Sequence, residues 1–155
     1  MAYILLVDDD PENLWSLQVA LEGDGHRVSV ADNARRALDV LQREHVQLVV
    51  TDYEMPEIDG VGLCRLIRAK PGYAELPVIM LSAAPEPPAH GVRHWTKFLR
   101  KPASIGELSA AIDAHAAARL SSHRSRRPVA SVRARLKTLH PPASRWASVD
   151  SACWP

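Results

Sequence analysis

The chain has 155 residues, 46% of them hydrophobic and 24% charged, which supplies the core of one domain with an appendage. No apolar run approaches the roughly 18 residues that span a bilayer, so no membrane contact is expected. The first strand pattern begins so near Met1 that a secretory leader is not expected. The net charge of +1 conceals a division: residues 1–118 hold 11 Lys and Arg against 17 Asp and Glu, net −6, whereas residues 119–155 hold 8 against the single acid Asp150, net +7. The split predicts two functionally different segments, 3–118 and 119–155, with the boundary near Leu120. Cys64 and Cys153 have neither metal-ligand nor disulfide spacing, so a reducing cytoplasm is the expected setting.

The first segment alternates between two periodicities. Ile4–Val7 is a short apolar run of the kind that is covered on both faces of a parallel sheet. Asp10-Pro11-Glu12 then offers a cap, a proline at the first helical position and an acid in the first turn, ahead of a stripe of Leu14, Leu17 and Leu21. Val28–Ala31 predicts a second strand, and Ala34, Ala37, Leu38 and Leu41 a second helix. Val46–Val50 predicts a third strand ending before Asp52, followed by a helix with Leu63, Leu66 and Ile67 on one face. Val78–Leu81 predicts a fourth strand. The next helix would have to fit into residues 82–97, where Pro85, Pro87, Pro88 and Gly91 leave room for one turn at most, near Ala89–Arg93. Phe98-Leu99 closes the strand series. Ser104-Ile105-Gly106-Glu107 is a capping box for a last helix with Leu108, Ala111 and Ile112. The order predicts an α/β fold, a doubly wound parallel sheet of five strands with a degraded fourth helix.

Four chemical signals stand where predicted strands end: Asp8-Asp9-Asp10, Asp52, Ser82-Ala83 and Lys101-Pro102. Ligands of such sheets bind beyond the carboxyl ends of the strands. Three carboxylates at close quarters repel, and a hard cation such as Mg²⁺ relieves that. Asp10 alone suffices as a helix cap, so Asp8 and Asp9 are surplus to that role. Asp52 can act as a nucleophile toward phosphorus, Ser82 can donate to a phosphate oxygen, and Lys101 can neutralise one.

From about Tyr3 to Ala118 these motifs resemble the receiver domain of two-component response regulators. Residues 4–11 (ILLVDDDP) match its acidic opening and residues 52–60 (DYEMPEIDG) its phosphoacceptor loop. Leu81-Ser82-Ala83 matches the switch hydroxyl on the fourth strand, and residues 98–102 (FLRKP) the switch aromatic and the lysine. The resemblance implies a flavodoxin-like strand order 2-1-3-4-5. It also implies that Asp52 takes a phosphoryl group from a phosphohistidine on a sensor histidine kinase or phosphotransfer protein. Mg²⁺ would be held by Asp8, Asp9, Asp52 and the backbone carbonyl of Glu54, with Ser82 and Lys101 on phosphoryl oxygens. Phe98 would turn inward as Ser82 moves, and the Lys101–Pro102 peptide would be cis. The signal would pass to an unknown output protein, and the module would not be an enzyme apart from its self-catalysed transfer and hydrolysis. One departure is plain: His94-Trp95 stands where that family has a Gly-Ala pair.

The segment 119–155 reads as a basic, flexible tail, with a short helix possible over 128–140 (Val129, Val132, Leu136, Leu139). It has no recognition-helix pattern, so weak nonspecific contact with nucleic acid is the most it suggests. Two other readings compete. One is a DNA-binding regulator using this tail. The other is a haloacid-dehalogenase-type phosphatase with Asp8 as nucleophile and Asp10 as acid/base, which would leave Asp52 without a role.

Overall fold

The computed structural model describes residues 1–88 and 92–125. Strand β1 (Tyr3–Val7) leads to α1 (Pro11–Gly23), β2 (Arg27–Ala31), α2 (Ala34–Arg43), β3 (Leu48–Asp52), α3 (Gly60–Ala69), β4 (Val78–Ser82), β5 (Lys97–Arg100) and α4 (Ile105–Ser125). The five strands form one parallel sheet in the order β2-β1-β3-β4-β5. This is the doubly wound, flavodoxin-like arrangement.

Alternate residues of the central strands point to opposite faces, as the period of two requires. Leu5, Val7, Val49, Val78 and Met80 join one core beneath α2 and α3. Ile4, Leu6, Leu48, Val50, Ile79 and Leu81 join the other beneath α1 and α4. Two buried faces explain why these strands read as unbroken apolar runs.

The helix ends follow local chemistry. Asp10 accepts from the Glu12 N–H at 2.9 Å, with Pro11 at the first helical position. Asn33 and Asp59 cap α2 and α3 through the N–H groups of Arg36 and Gly62. Ser104 and Glu107 form a reciprocal box at α4, at 3.0 and 3.1 Å, and those bonds hold the Glu107 carboxyl below its usual range. The expected stripes are buried or half-buried, with one correction. In α3 the buried face is Leu63, Cys64 and Ile67, while Leu66 is 40% exposed. The i, i+3, i+4 set that begins at Leu63 selects 66 and 67. The sheet lies instead on the 63, 64, 67 side.

Two boundaries differ from expectation. The third strand starts at Leu48 and includes Asp52, so Val46 is buried just before it. Helix α4 runs past Leu120 to Ser125. Among the described residues no helix lies between β4 and β5. The expected turn at 89–93 falls largely outside the described residues, as do the expected helix 128–140 and the rest of the tail. Just before β5, Trp95 packs into the core with 5% of its surface exposed. Among the described residues no helix is long and apolar enough to cross a membrane.

Candidate functional site

The parallel ladder brings four strand ends to one edge. Asp8 follows β1 directly and its N–H donates to the Ala31 carbonyl at 3.2 Å. Asp52 and Ser82 are the last residues of β3 and β4. Tyr53 N–H donates to Leu81 O and Lys101 N–H to Ser82 O, each at 2.8 Å. Main-chain bonds therefore fix the relative positions of the residues that carry the chemistry, as a site on rigid elements requires.

Carboxylate oxygens of Asp8, Asp9 and Asp52 all lie within 4.8 Å of one another. Asp8 and Asp52 are buried and Asp9 is exposed. Lys101 Nζ stands 2.8 Å from Asp52 Oδ1 and 3.5 Å from Asp8 Oδ2. The ammonium is the ion-pair partner of this buried oxygen, and among the described residues no other group donates to it. Burial pushes the Asp8 carboxyl above its usual range. The Asp10 N–H and Lys101 oppose that, and neighbouring Asp52 adds to it. Lys101 experiences the reverse balance. Burial works against its charge, but contact with Asp52 and Asp8 outweighs burial and raises its pKa.

A carboxylate raised by burial, a second whose buried oxygen meets only the Lys101 ammonium among the described residues, and a third open to solvent make an all-oxygen, electron-rich donor set. It fits a hard divalent cation that keeps some of its water. Ser82 is fully buried, and its Oγ accepts from the Ala84 N–H at 3.0 Å. The hydroxyl proton remains available to donate. Glu54 lies exposed in the loop after β3. Phe98 is half-buried on β5, in register with Met80, and packs against the α2–α3 core. The Lys101–Pro102 peptide is cis.

Asp10, by contrast, serves α1. Its side chain holds the Glu12 N–H and it is not in the carboxylate cluster.

Sequence reasoning missed two supporting residues. Thr51 is buried and its hydroxyl donates to the Asp52 carbonyl at 2.9 Å. Gly60 closes the loop after β3, its N–H donating to Tyr53 O at 2.9 Å. A Cβ there would sit 2.5 Å from the Asp52 carbonyl oxygen and 2.9 Å from Tyr53 Cα. The Asp-Gly pair at 59–60 was the available signal for the second, but its meaning depends on how the loop folds back.

The fold and the pocket together define a flavodoxin-like signalling domain with an acidic site at its switch point. Residues 4–113 match the response regulator receiver domain model, and the chain belongs to that family of two-component signalling proteins. It is 39% identical over 116 residues to the transcriptional regulatory protein GlrR of Escherichia coli K12, a match covering 72% of this chain and 26% of that protein. It is 46% identical over 80 residues to a 14.6 kDa protein from the sodA1 3′ region of Leptolyngbya boryana, covering 52% of this chain and 61% of the other. The chain thus spans less than two thirds of the length of either relative. A response regulator receiver domain protein from Clostridium thermocellum superposes with a TM-score of 0.68 at 26% identity, covering 79% of this chain and 99% of that one. The chemotaxis protein CheY4 of Vibrio cholerae at low pH gives 0.68 at 26% identity, covering 74% and 98%.

Proposed function

We propose that Asp52 is the phosphoacceptor and that Asp8, Asp9, Asp52 and the Glu54 carbonyl hold Mg²⁺. The observation that carries this reading is the meeting of three carboxylates within 4.8 Å, with the Lys101 ammonium 2.8 Å from Asp52. When bound, Mg²⁺ supplies positive charge that offsets repulsion between carboxylate and phosphoryl oxygens. The chain's own residues do the rest. An Asp52 carboxylate oxygen forms the new P–O bond as the P–N bond of a phosphohistidine breaks. The bonding electrons pass to the imidazole nitrogen, which takes up a proton on leaving. Lys101 neutralises a phosphoryl oxygen, and the Ser82 hydroxyl donates to another. Phosphoryl transfer depends on such positioning and charge neutralisation more than on covalent help.

The donor is a sensor histidine kinase or a phosphotransfer protein, and the module is not an enzyme for any other substrate. A groove of about 520 Å³ is lined by Pro11, Glu12, Trp15 and Ser16 at the start of α1. Trp15 is 69% exposed there. An exposed tryptophan in the first turns of α1, the helix that follows the acidic residues 8–10, suits a protein donor, because large aromatics are enriched among the residues that dominate interfaces. Output passes through a protein partner in the cytoplasm, with the segment 119–155 making only weak, salt-sensitive contact with nucleic acid. The phosphatase reading is not favoured, because Asp10, its acid/base, is occupied as the cap of α1.

The test is incubation with acetyl phosphate and Mg²⁺, followed by intact mass and peptide mapping. One phosphoryl group on Asp52, lost in Asp52→Asn, is the expected result. Label on Asp8 would overturn the assignment.

A further inference from the structure

The exposed stripe of α1 does not end at Trp15. Trp15 and Val19, one turn apart, are 69% and 50% exposed. Glu12 stands three residues before the first and Glu22 three after the second, so an apolar pair is bracketed by two acids on one side of the helix. Helix α4 packs beside α1 over the same core, and Ser109 Oγ donates to Asp24 Oδ2 between them at 2.7 Å. Residues 11–24 and 104–118 hold five acids, Glu12, Glu22, Asp24, Glu107 and Asp113, all exposed, and no Lys or Arg. The other side of the sheet has the opposite sign: α2 and α3 expose Arg35, Arg36, Arg43 and Arg65 against Asp39. The chain itself supplies an occupant of matching chemistry. Residues 126–155 carry six Lys and Arg against the single acid Asp150, net +5, interleaved with Val132, Leu136, Leu139 and Trp146. They continue from Ser125, the last residue of α4, and so leave from a helix of the acidic face. We propose that residues 126–155 dock on the α1–α4 face, with Trp146 in the groove at Trp15, as an intramolecular cover that competes with a protein phosphodonor. The competition rests on the reading of Trp15 as a donor contact.

The span fits. At 1.5 Å per residue the path from Ser125 back to Ser109 is about 24 Å, and that from Asp24 to Trp15 about 14 Å. One interhelix spacing of about 10 Å brings the total to about 48 Å. A chain reaches at most about 3.3 Å per residue, so about 15 residues cover that path. Trp146 lies 21 residues beyond Ser125 and therefore reaches the groove. The bases before it pass Asp113, Asp24 and Glu22 on the way, and Arg145 arrives beside Glu12. Covalent linkage makes the contact intramolecular, so modest attraction suffices to populate it. The paired charges are exposed, so salt weakens the docking.

The experiment uses the full chain, labelled with nitrogen-15 and carrying a nitroxide on Cys153; Cys64 is buried, which directs the label to the other thiol. At low salt the nitroxide is expected to broaden the Trp15 indole and Val19 amide signals at least about threefold more than the Arg36 and Arg65 amides, independently of protein concentration. That preference should vanish at about 0.5 M salt, and in Glu12→Lys combined with Glu22→Lys. Trp146→Ala should accept phosphoryl groups from a histidine-phosphorylated phosphotransfer protein about three- to fivefold faster than wild type, as expected when a largely covered site is freed, with acetyl phosphate kinetics unchanged. Uniform broadening, or a preference for α2 and α3, would overturn the docking. A preference that grows with concentration would overturn it too, because the occupant would be a second copy. Docking without faster transfer in Trp146→Ala would overturn the competition while leaving Asp52 as phosphoacceptor. Failure of acetyl phosphate to label Asp52 would overturn that assignment and the competition with it, the docking standing or falling by the broadening alone.

Discussion

Lys101→Ala separates the two electrostatic roles of the pocket. In the free chain the ammonium competes with any cation for Asp52 and Asp8. At an effective dielectric near 20, a unit pair at the 2.8 Å separation of Lys101 and Asp52 attracts by about 6 kcal/mol before hydration is counted. Lys101 is 28% exposed and loses hydration on entering the site, so a net of about 1–2 kcal/mol is the reasonable figure. Removing it should therefore tighten Mg²⁺ binding by up to about 5- to 30-fold. Phosphorylation should move the other way. A charge-assisted hydrogen bond to a phosphoryl oxygen contributes about 1.5–3 kcal/mol, so the rate at saturating Mg²⁺ should drop about 10- to 100-fold. Calorimetry gives the first number and intact mass against time with acetyl phosphate gives the second. A tenfold loss of Mg²⁺ affinity would mean that the ammonium mainly holds the carboxylates in place. A wild-type rate would mean that it does not touch the phosphoryl group.

Three further outcomes follow from named contacts. Gly60→Ala should cost about 1–3 kcal/mol of stability and weaken Mg²⁺ binding about tenfold, since its Cβ meets the Asp52 carbonyl oxygen at 2.5 Å. Gly62→Ala, facing the Ile58 Cγ2 methyl at 2.9 Å and Asp59 Oδ1 at 3.2 Å rather than backbone, should cost less, and equal losses in denaturation and calorimetry would refute the distinction. Burial pushes the Cys64 thiol from 9.0 up to about 12. A folded-state pKa raised in this way contributes stability below pH 9 that is lost as the pH climbs toward 12. At pH 10.5 the wild type should have lost about 2 kcal/mol more than Cys64→Ala relative to pH 8, and parallel urea-denaturation profiles would exclude the effect. Trp15→Ala should slow transfer from a cognate phosphohistidine protein several-fold while leaving acetyl phosphate kinetics unchanged; a loss with both donors would place Trp15 in the pocket itself.

Much of the site was legible because each part is signalled locally. Asp8, Asp52, Ser82 and Lys101 are each announced by the apolar run before them, and a parallel sheet necessarily gathers the carboxyl ends of its strands on one edge. The caps at Asp10 and Ser104 were legible for the same reason: their partners lie two or three residues away. The end of α4 was not, because the shift in charge near Leu120 is not a helix stop. Residues 107–125 contain neither Gly nor Pro, and the backbone continues until Ser125.

What the sequence could not deliver are contacts whose partners are brought together only by the finished fold. Gly60 matters because the loop after β3 folds back until its Cα lies against the Asp52 carbonyl, and no periodicity encodes that approach. Trp95 is the stronger case. Prolines 85, 87 and 88 forbid a helix by local chemistry, which is legible. What then covers the sheet is a separate question, because a buried apolar face left open to water costs about 25 cal/mol for each Å² exposed. Part of the answer lies about ten residues downstream, in an indole that is buried in the core beneath α2 and α3 and satisfies its N–H on Glu86. A tryptophan can fill that role where Leu or Phe could not, since it brings both the volume and a donor able to tie the connection back on itself. The residue that departs from the family pattern is therefore the one that ties the described ends of the connection together, and Glu86 and Trp95 should tolerate substitution only together.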